Sequence, residues 1–230
     1  MGALFSNFIV IKEFEMKVLK KRKLPKKSTH KNLIQFHSHK NQKHMFCESY
    51  LESDVYLTFE FLKNIVSYTV QEFRVQFDLD GRPSTYTPDA KVILHDDYHS
   101  KGVIVEVKRT EELIKPKVWR KLRRARQEFV AEGYGFVICK DSDFQVQPRL
   151  NNLRLLYRYR DSLPEQETQN LIYDRVRGND DVTIGELNKL VKQRGGLDTN
   201  AYAMASRGLL KLDINQVITP NSLVSLGGVK

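Results

Sequence analysis

The amino-acid sequence predicts an α/β fold in which helices flank a mixed sheet, followed by a small helical domain. Short segments of alternating apolar and polar residues lie between residues 67 and 140, and this period of two is typical of strands. Helical patterns occur at 47–67, at 111–132 and through most of the chain beyond 148. We therefore expect a basic arm at residues 1–45, an α/β domain at 46–148 and a second domain at 149–230.

The charge of the chain favours a polyanionic partner. The formal net charge is +10 and the sequence pI is about 9.5, as expected of proteins that bind nucleic acid or an anionic membrane surface. A merely basic protein is the alternative. Cys47 and Cys139 do not make a disulfide framework, so a reducing compartment is expected. No apolar stretch approaches the roughly 20 residues that span a bilayer, and we expect a cytoplasmic protein.

The basic arm contains the run KVLKKRKLPKKSTHKN. Such a run is either solvated or clamps a phosphate backbone, where counterion release supplies affinity. Gly2 and Ser6 match the short myristoylation pattern, which leaves a membrane-surface protein as an alternative. The spacing of the nearby histidines and cysteine does not fit a closed four-ligand zinc site well; these residues are His37, His39, His44 and Cys47.

The α/β domain is predicted to open with the helix at 47–67, in which Glu48 and Glu52 are four residues apart and share one face. Alternation then takes over. The predicted strands are FRVQFDL, TYTPDAKVIL, VIVEVK and GYGFVICK, with the turn DGRPS after the first and the loop HDDYHSKG after the second. The helix at 111–132 separates the last two strands.

Two charged side chains end the apolar strand VIVEVK. Side chains alternate across a strand, so Glu106 and Lys108 point to one face while Val105 and Val107 point to the other. If this strand pairs antiparallel with TYTPDAKVIL, Asp89 lies beside Glu106. Two neighbouring carboxylates repel each other unless a divalent cation or a shared proton relieves them.

Carboxylate oxygens of this kind suit Mg²⁺, or Mn²⁺, better than zinc. The main-chain carbonyl of Val107 is a natural additional ligand, and Glu52 completes the cluster if its helix docks over the same sheet edge. Lys108 is placed to orient a water or to stabilise charge on a phosphate. The sequence thus predicts a metal site whose ligands are Asp89, Glu106, Val107 and Glu52.

The order of these features resembles that of the PD-(D/E)xK nucleases. A Glu-bearing helix is followed by a strand that opens with Pro88-Asp89, by a hairpin into apolar-Glu106-Val-Lys108, and by a basic helix. Residues 46–140 further resemble the N-terminal domain of TnsA-like endonucleases, on the segments CESYLESDVYLTFEFLKNIVSYTVQEFRVQF, YTPDAKVIL and VIVEVKR. These endonucleases are the subunits of heteromeric transposases that cut the 5′ ends of the element.

The resemblance implies a restriction-endonuclease-like fold and Mg²⁺-dependent cleavage of DNA. It implies a DDE transposase and an AAA+ ATPase regulator as partners, and hence a bacterial cytoplasmic protein associated with the nucleoid. The compact length is compatible with a CRISPR-associated transposon, although no residue carries that assignment.

The resemblance also suggests roles for individual residues. Glu48 competes with Glu52 for the helix acid, and Glu52 is preferred because it follows the apolar Leu51, as in the family pattern. Gln71 matches a recurrent polar position and is either near the site or engaged in a structural hydrogen bond. The catalytic residues carried over are the helix acid Glu52, the central metal ligand Asp89, the second acid Glu106 and the motif lysine Lys108.

The helix PKVWRKLRRARQEF is strongly basic, and its charges form either a solvated face or a contact with the phosphates of DNA. The predicted DNA-binding residues are Lys117, Arg120, Arg123 and Arg124.

Beyond residue 148, helices are predicted at 149–178, 183–194 and 199–209, followed by a small hairpin. Thr183 and Glu186 have the spacing of a capping box at the start of the second of these. Helices followed by a hairpin are typical of a winged-helix module; an unspecific helical appendage is the alternative. The resemblance implies that this domain binds the ATPase regulator, whereas a winged helix can also read DNA.

Two other functions are compatible with the sequence. One is a stand-alone restriction or repair nuclease of the same superfamily, which would act without partner subunits. The other is a non-catalytic DNA-binding protein with a decayed nuclease fold, against which the intact set of three acids and a lysine argues.

Overall fold

The computed structural model describes residues 17–19, 33–72, 74–95 and 101–227. Two compact units divide between Phe144 and Gln145. Gly2, Ser6 and much of the predicted basic arm lie outside the described residues. Within the described ranges, the chain has no helix of the length and apolar character that crossing a bilayer requires.

The first unit alternates strands and helices along the chain. Its strands are β1 (Lys17–Leu19), β2 (Ile34–Ser38), β3 (Lys43–Cys47), β4 (Ile65–Val70), β5 (Arg74–Leu79), β6 (Arg82–Tyr86), β7 (Ala90–Leu94), β8 (Val103–Lys108) and β9 (Gly135–Lys140). Its helices are α1 (Tyr50–Phe61), α2 (Thr110–Leu113), α3 (Pro116–Ala131) and α4 (Asp141–Phe144).

The central sheet is mixed, with the strand order β4-β7-β8-β9. The pairs β4/β7 and β7/β8 are antiparallel, and β8/β9 is parallel. A second sheet has the order β1-β5-β6, and β2 pairs with β3 as a hairpin. This mixed sheet with flanking helices confirms the predicted fold class, which is consistent with a restriction-endonuclease-like fold.

Helix α3 connects the two parallel strands and covers the core of the first unit. Its sequence is amphipathic, and the apolar face packs against β5 and β9. Pro116 occupies the first helical position, where its fixed φ and missing N–H cost nothing. The buried cluster consists of Leu122, Ala125 and Phe129 from α3 with Val75, Phe77, Tyr86, Ile104 and Phe136 from the strands.

A buried polar network joins the β2–β3 hairpin to α1 and β4. Glu60 accepts hydrogen bonds from the hydroxyls of Ser38 (2.6 Å) and Tyr68 (2.7 Å) and from the main-chain N–H of Lys40 (3.0 Å). The ammonium of Lys40 donates to the carbonyls of Leu62 and Ile65, just beyond the end of α1. These bonds satisfy the buried carboxylate and fix the hairpin turn against the helix.

Some of the element boundaries predicted for the first unit are wrong. The helix predicted at 47–67 ends at Phe61, and the last part of that segment begins strand β4, since the short apolar run there fits either structure. The single strand predicted over TYTPDAKVIL is two strands, β6 and β7, which belong to different sheets. Pro88 lies between them, and because proline has no N–H it interrupts a ladder.

The segment 34–47 has a regular structure, although most of it was predicted to belong to the basic arm. Its alternating residues form the β2–β3 hairpin, with Phe36, Met45 and Cys47 buried. Burial of the inward-facing residues against α1 gives this part of the chain a fixed structure.

The second unit consists of helices followed by a short pair of strands. The elements are α5 (Arg149–Tyr157), α6 (Gln166–Val176), α7 (Ile184–Gln193), α8 (Asn200–Ser206), β10 (Leu210–Lys211) and β11 (Ser225–Leu226). The helix predicted at 149–178 is therefore two helices, and Pro164 lies in the break between them. The predicted capping box is confirmed, since Thr183 and Glu186 exchange side-chain and main-chain hydrogen bonds.

Candidate active site

The pairing of β7 with β8 brings two carboxylates together at one end of the sheet. The strands are antiparallel, and Ala90 is opposite Val105. The next pair in this register is Asp89 with Glu106, and side chains opposite each other lie on the same face. The antiparallel pairing predicted from the sequence is thus present, and it places both acids at the same end of these two central strands.

Asp89 lies at the bend between β6 and β7 and is held at both its side chain and its main chain. Its Oδ2 atom accepts a hydrogen bond from the N–H of Val107 (2.7 Å). Its main-chain carbonyl accepts from the N–H of Gln71 (3.0 Å) and from the hydroxyl of Tyr56 (3.0 Å). Helix α1, the end of β4 and strand β8 together therefore fix the position of this carboxylate.

Glu106 is buried and engages both of its carboxylate oxygens. The hydroxyl of Tyr86 donates to Oε2, and the ammonium of Lys108 lies 2.7 Å from Oε1. The ring of Tyr86 packs on Phe129 of α3, with ring centroids 6.0 Å apart. The core of the first unit thus orients Glu106 through a tyrosine.

Lys108 contacts the other groups of the cluster as well. Its Nζ atom donates to the carbonyl of Val107 (3.0 Å) and lies 4.0 Å from Oδ2 of Asp89. Two carboxylates and one carbonyl therefore surround a single positive charge. The structure brings together Asp89, Glu106, Val107 and Lys108, four of the residues that the sequence analysis named for this site.

The electrostatics of the site reflect the closeness of the two acids. Burial raises the pKa of Asp89 well above its ordinary value, and the neighbouring charge of Glu106 raises it further. Burial alone would lower the pKa of Lys108, but Glu106 and Asp89 outweigh burial, and the pKa is raised. Lys108 therefore carries its charge at neutral pH, whereas ionisation of Asp89 is unfavourable without a further cation.

Glu52 lies near this cluster but makes its direct contacts elsewhere. Its carboxylate accepts hydrogen bonds from the N–H of Glu48 (2.9 Å) and from the hydroxyl of Ser49 (2.8 Å) at the start of α1. Burial raises the pKa of Glu52, and Lys108 is among the charges that act on it. The Glu52 carboxylate is thus within electrostatic range of the lysine.

The oxygens of the cluster match the ligands that a hard dication prefers. Asp89 and Glu106 supply carboxylates and Val107 a carbonyl, and the last two already contact one cation, the Lys108 ammonium. Within the described ranges, no group of three or more His, Cys, Asp and Glu side chains is arranged to hold a metal ion. The atoms that could bind Mg²⁺ at this site are thus the carboxylates of two side chains, Asp89 and Glu106, and one main-chain atom, the carbonyl oxygen of Val107.

The histidine cluster considered for zinc lies on the β2–β3 hairpin. The ring centroids of His37 and His39 are 4.9 Å apart, and those of His37 and His44 are 4.8 Å apart. The ring of His37 therefore packs against both of the other rings.

Sequence reasoning missed two tyrosines that support the acids. Tyr56 lies one turn after Glu52 on α1 and is fully buried, with its hydroxyl on the carbonyl of Asp89. Tyr86 precedes Asp89 by three residues and holds Glu106. A buried tyrosine needs a hydrogen-bond partner, and the positions of these two beside predicted site acids were the available signal.

Half of the predicted DNA-binding residues are engaged within the protein. Arg120 forms an ion pair with Asp80 at 3.3 Å, and both side chains are exposed. Arg124 lies 2.5 Å from Glu128 and donates to the carbonyl of Asp78 (3.1 Å). Among the described residues, Lys117 and Arg123 form no ion pair, and both are exposed; the same holds for Arg126.

Comparison with known proteins is consistent with this geometry. Residues 62–141 match the family model for the N-terminal domain of TnsA-like endonucleases. The match covers about a third of the chain; it includes Asp89, Glu106 and Lys108 and begins after Glu52. A search of curated proteins finds no match. The resemblance inferred from the sequence is confirmed for this domain.

Proposed function

Because the first unit contains a TnsA-like nuclease domain, we propose that the protein is a metal-dependent DNA endonuclease that cuts the 5′ ends of a transposable element within a heteromeric transposase. The observation that carries the proposal is the convergence of Asp89, Glu106 and Lys108 at one sheet edge inside the matched segment. Paired acids that can hold a divalent cation next to a lysine suit phosphodiester hydrolysis, because the cation and the ammonium offset the negative charge that the scissile phosphate gains as water attacks it.

In this proposal the carboxylates of Asp89 and Glu106 and the carbonyl of Val107 hold Mg²⁺, with Mn²⁺ as a substitute. The metal would lower the pKa of a bound water and neutralise charge on the phosphate oxygens. Tyr86 and the N–H of Val107 keep the two carboxylates oriented. Lys108, freed from Glu106, would place its ammonium on the attacked phosphate or on the attacking water.

Glu52 has an outer role in this scheme. Its position within electrostatic range of Lys108 supports a function in holding the lysine or a metal-bound water. Its hydrogen bonds to Glu48 and Ser49 also fix the start of α1. We keep Glu52 as the helix acid of the site.

The transposase setting brings two proposed protein partners, a DDE transposase and an AAA+ ATPase regulator. The second unit is the proposed docking module for the regulator, with a winged-helix-like arrangement. The succession of α6, α7 and α8 followed by the β10/β11 pair supports that arrangement. A β-bridge between Thr183 and Leu223 also joins the start of α7 to the segment before β11.

Cleavage of element-end DNA tests the proposal. The full chain is incubated with Mg²⁺ and a duplex carrying an element end, with the transposase and the ATPase present or omitted. We expect 5′-end cleavage that requires Mg²⁺ and is lost in Asp89→Ala, whereas Asp181→Ala, at an exposed acid of the second unit, retains it. Cleavage that persists in Asp89→Ala contradicts the proposal, and efficient cleavage without partners favours the stand-alone nuclease.

A further inference from the structure

Trp119 is the single tryptophan of the chain, and half of its surface (50%) is exposed to solvent. Tryptophan is rarely left this exposed, because its ring gains much from burial. Ile114, five residues earlier, is also exposed. Isolated apolar side chains on a surface are ordinary, so the significance of Trp119 depends on its place in the fold and on its neighbours.

The topology places Trp119 at the end of the sheet that carries the candidate active site. Strands β8 and β9 are parallel, with Val103 opposite Gly135 and Lys108 opposite Lys140. A connection between parallel strands must return to the starting edge, so α3 begins near the end of β8. Trp119 is the fourth residue of α3 and therefore lies towards the edge that carries Lys108.

Two contacts support this placement. Asp141, which follows β9, accepts hydrogen bonds from the N–H (3.0 Å) and the hydroxyl (2.6 Å) of Thr110, the first residue of α2. Helix α2 is thereby held at the edge where β8 and β9 both end. Glu112 of α2 is also one of the carboxylates whose charge acts on Lys108. The segment that leads into α3 thus lies at the site.

The charges around Trp119 match a polyanion. Residues four and seven positions further along a helix lie on the same side of it, one and two turns away, so Arg123 and Arg126 share the side of α3 that carries Trp119. Both arginines are exposed, and within the described part of the chain neither forms an ion pair. By contrast, Arg120 and Arg124 have acidic partners within the protein. The flank of Trp119 therefore carries the arginines that are available for phosphates.

Resting on the proposed nuclease function, we propose that Trp119 packs against a base or sugar of the substrate DNA beside the cleaved phosphate, while Arg123 and Arg126 bind the adjoining phosphates. Aromatic rings contribute to DNA binding through stacking that is tolerant of sequence, and apolar side chains also wedge between base steps. Trp119 is thus a positioning residue, which fixes the strand relative to Asp89 and Glu106. An acidic protein surface could satisfy the arginines, but the nearby nuclease site favours DNA.

Because the chain has one tryptophan, its fluorescence reports directly on this contact in the unaltered protein. The full chain is titrated in EDTA, which prevents cleavage, with a short duplex and with the same duplex carrying a single-stranded end. We expect quenching of the Trp119 emission that saturates together with the fluorescence anisotropy of labelled DNA. Trp119→Ala should weaken binding by about 5- to 100-fold, and Trp119→Phe should retain most of it.

Val66→Ala provides the matched control. Val66 is 44% exposed, on edge strand β4, in the same unit, and it lies four residues from Val70, which pairs with Ala90 beside the site. This substitution should leave DNA binding unchanged. Circular dichroism checks that each variant is folded, and the fluorescence titration itself requires no substitution.

The outcomes separate this inference from the proposed function. DNA binding without a change in Trp119 emission, with Trp119→Ala binding as tightly as the unaltered chain, overturns the inference, as does an absence of DNA binding. Quenching by an acidic polypeptide but not by DNA overturns it in favour of a protein partner. Quenching by DNA without Mg²⁺-dependent cleavage in the transposase assay supports the contact and contradicts the nuclease proposal, whereas cleavage without quenching does the reverse.

Discussion

The Nζ atom of Lys108 lies 2.7 Å from Oε1 of Glu106 and also donates to the carbonyl of Val107, 3.0 Å away. The ammonium therefore contacts two of the three groups that would hold a metal ion. A dication bound to the same oxygens would compete with this ammonium for them. The Lys108 ammonium can therefore bind either the acids of the protein or a phosphate, and the competition between the ammonium and a metal ion can be tested.

Lys108→Met should destabilise the protein in EDTA and increase the effect of Mg²⁺ on its stability. Removing the ammonium leaves Glu106 and Asp89 facing each other without a cation. The expected cost is about 1–3 kcal/mol, between the values for exposed and for fully buried ion pairs. Thermal unfolding with and without Mg²⁺ measures this, and added Mg²⁺ should restore part of the loss.

The matched control for this variant is Lys117→Met, at an exposed lysine of α3 that forms no ion pair with the described residues. It should change stability little and respond to Mg²⁺ as the unaltered chain does. Equal responses of Lys108→Met and Lys117→Met to Mg²⁺ would show that the lysine and the metal do not share ligands.

Asp89→Asn should stabilise the protein in EDTA at neutral pH while abolishing cleavage. Burial and then the charge of Glu106 raise the pKa of Asp89 in the folded state. Because the pKa of Asp89 is higher in the folded than in the unfolded state, its contribution to stability is largest at low pH and is lost as the pH rises through the folded-state pKa. The neutral amide avoids this loss, with an expected gain of about 0.5–2 kcal/mol.

The gain from Asp89→Asn should depend on pH in a defined direction. The gain should be small below about pH 4, the ordinary pKa of a free aspartate. It should grow as the pH rises towards the raised pKa that Asp89 has in the folded protein. Urea unfolding across this range, with Asp181→Asn as the exposed control, measures it. A variant that is less stable than the unaltered chain at neutral pH, with no growth of the difference, contradicts the assigned repulsion.

Tyr86→Phe should lower cleavage without unfolding the protein. Burial, and then the charge of Glu106, raises the pKa of Tyr86 well above its ordinary value, so its hydroxyl remains a donor to Glu106 at neutral pH. Loss of such a supporting bond typically costs about 10- to 100-fold in metal affinity or activity. The measurement is the Mg²⁺ dependence of cleavage, whose midpoint should move to higher concentration. Tyr202→Phe, in the second unit, is the control and should leave the midpoint unchanged.

The grouping of Asp89, Glu106 and Lys108 was predictable, because the local geometry of two neighbouring strands determines it. The period of two along β8 places Glu106 and Lys108 on one face, and a hairpin with β7 brings Asp89 beside them. The break at Pro88 was not foreseen, because the alternation continues on both sides of it. Asp89 consequently lies at a bend between two sheets, which gives its main-chain carbonyl partners on α1 and after β4.

Contacts between residues far apart in the sequence were not predictable from patterns. Tyr86 reaches Glu106 only because β6 belongs to the second sheet and packs under α3. Arg120 and Arg124 have partners in β5 and in the turn after it, more than 30 residues earlier. A run of basic residues shows that a helix face is charged, but not which of its charges the protein itself uses.

Glu60→Gln should destabilise the first unit without a direct effect on the acids of the site. Both oxygens of Glu60 accept hydrogen bonds, from Ser38, Tyr68 and Lys40. An amide must turn its NH₂ group towards at least one of these donors, which leaves a buried donor unsatisfied at a cost of about 1–3 kcal/mol. Urea unfolding measures the loss. Glu132→Gln, at a more exposed acid of the same unit, should be nearly neutral, and equal effects of the two would contradict the role of the network.

Asn152→Asp should loosen the second unit around residues 214–218. The buried amide of Asn152 donates to the carbonyls of Ile214 (2.8 Å) and Gln216 (2.6 Å) and accepts from the N–H of Ile218 (3.1 Å). An aspartate would direct a carboxylate oxygen at two carbonyl oxygens, which costs about 3 kcal/mol or more. Amide hydrogen exchange in the full chain should therefore accelerate in this segment.

The adjacent exposed residue provides the control for this change, since Asn151→Asp adds the same charge one position earlier. It should leave exchange in residues 214–218 unaltered. The penalty of Asn152→Asp should shrink as the pH falls, because a protonated carboxyl can donate to one of the two carbonyls and its pKa in the folded state is raised. The comparison is the acceleration of exchange relative to the unaltered chain at the same pH. An acceleration that is equal in both variants, or that does not change with pH, would mean that the bonds of Asn152 do not support this segment.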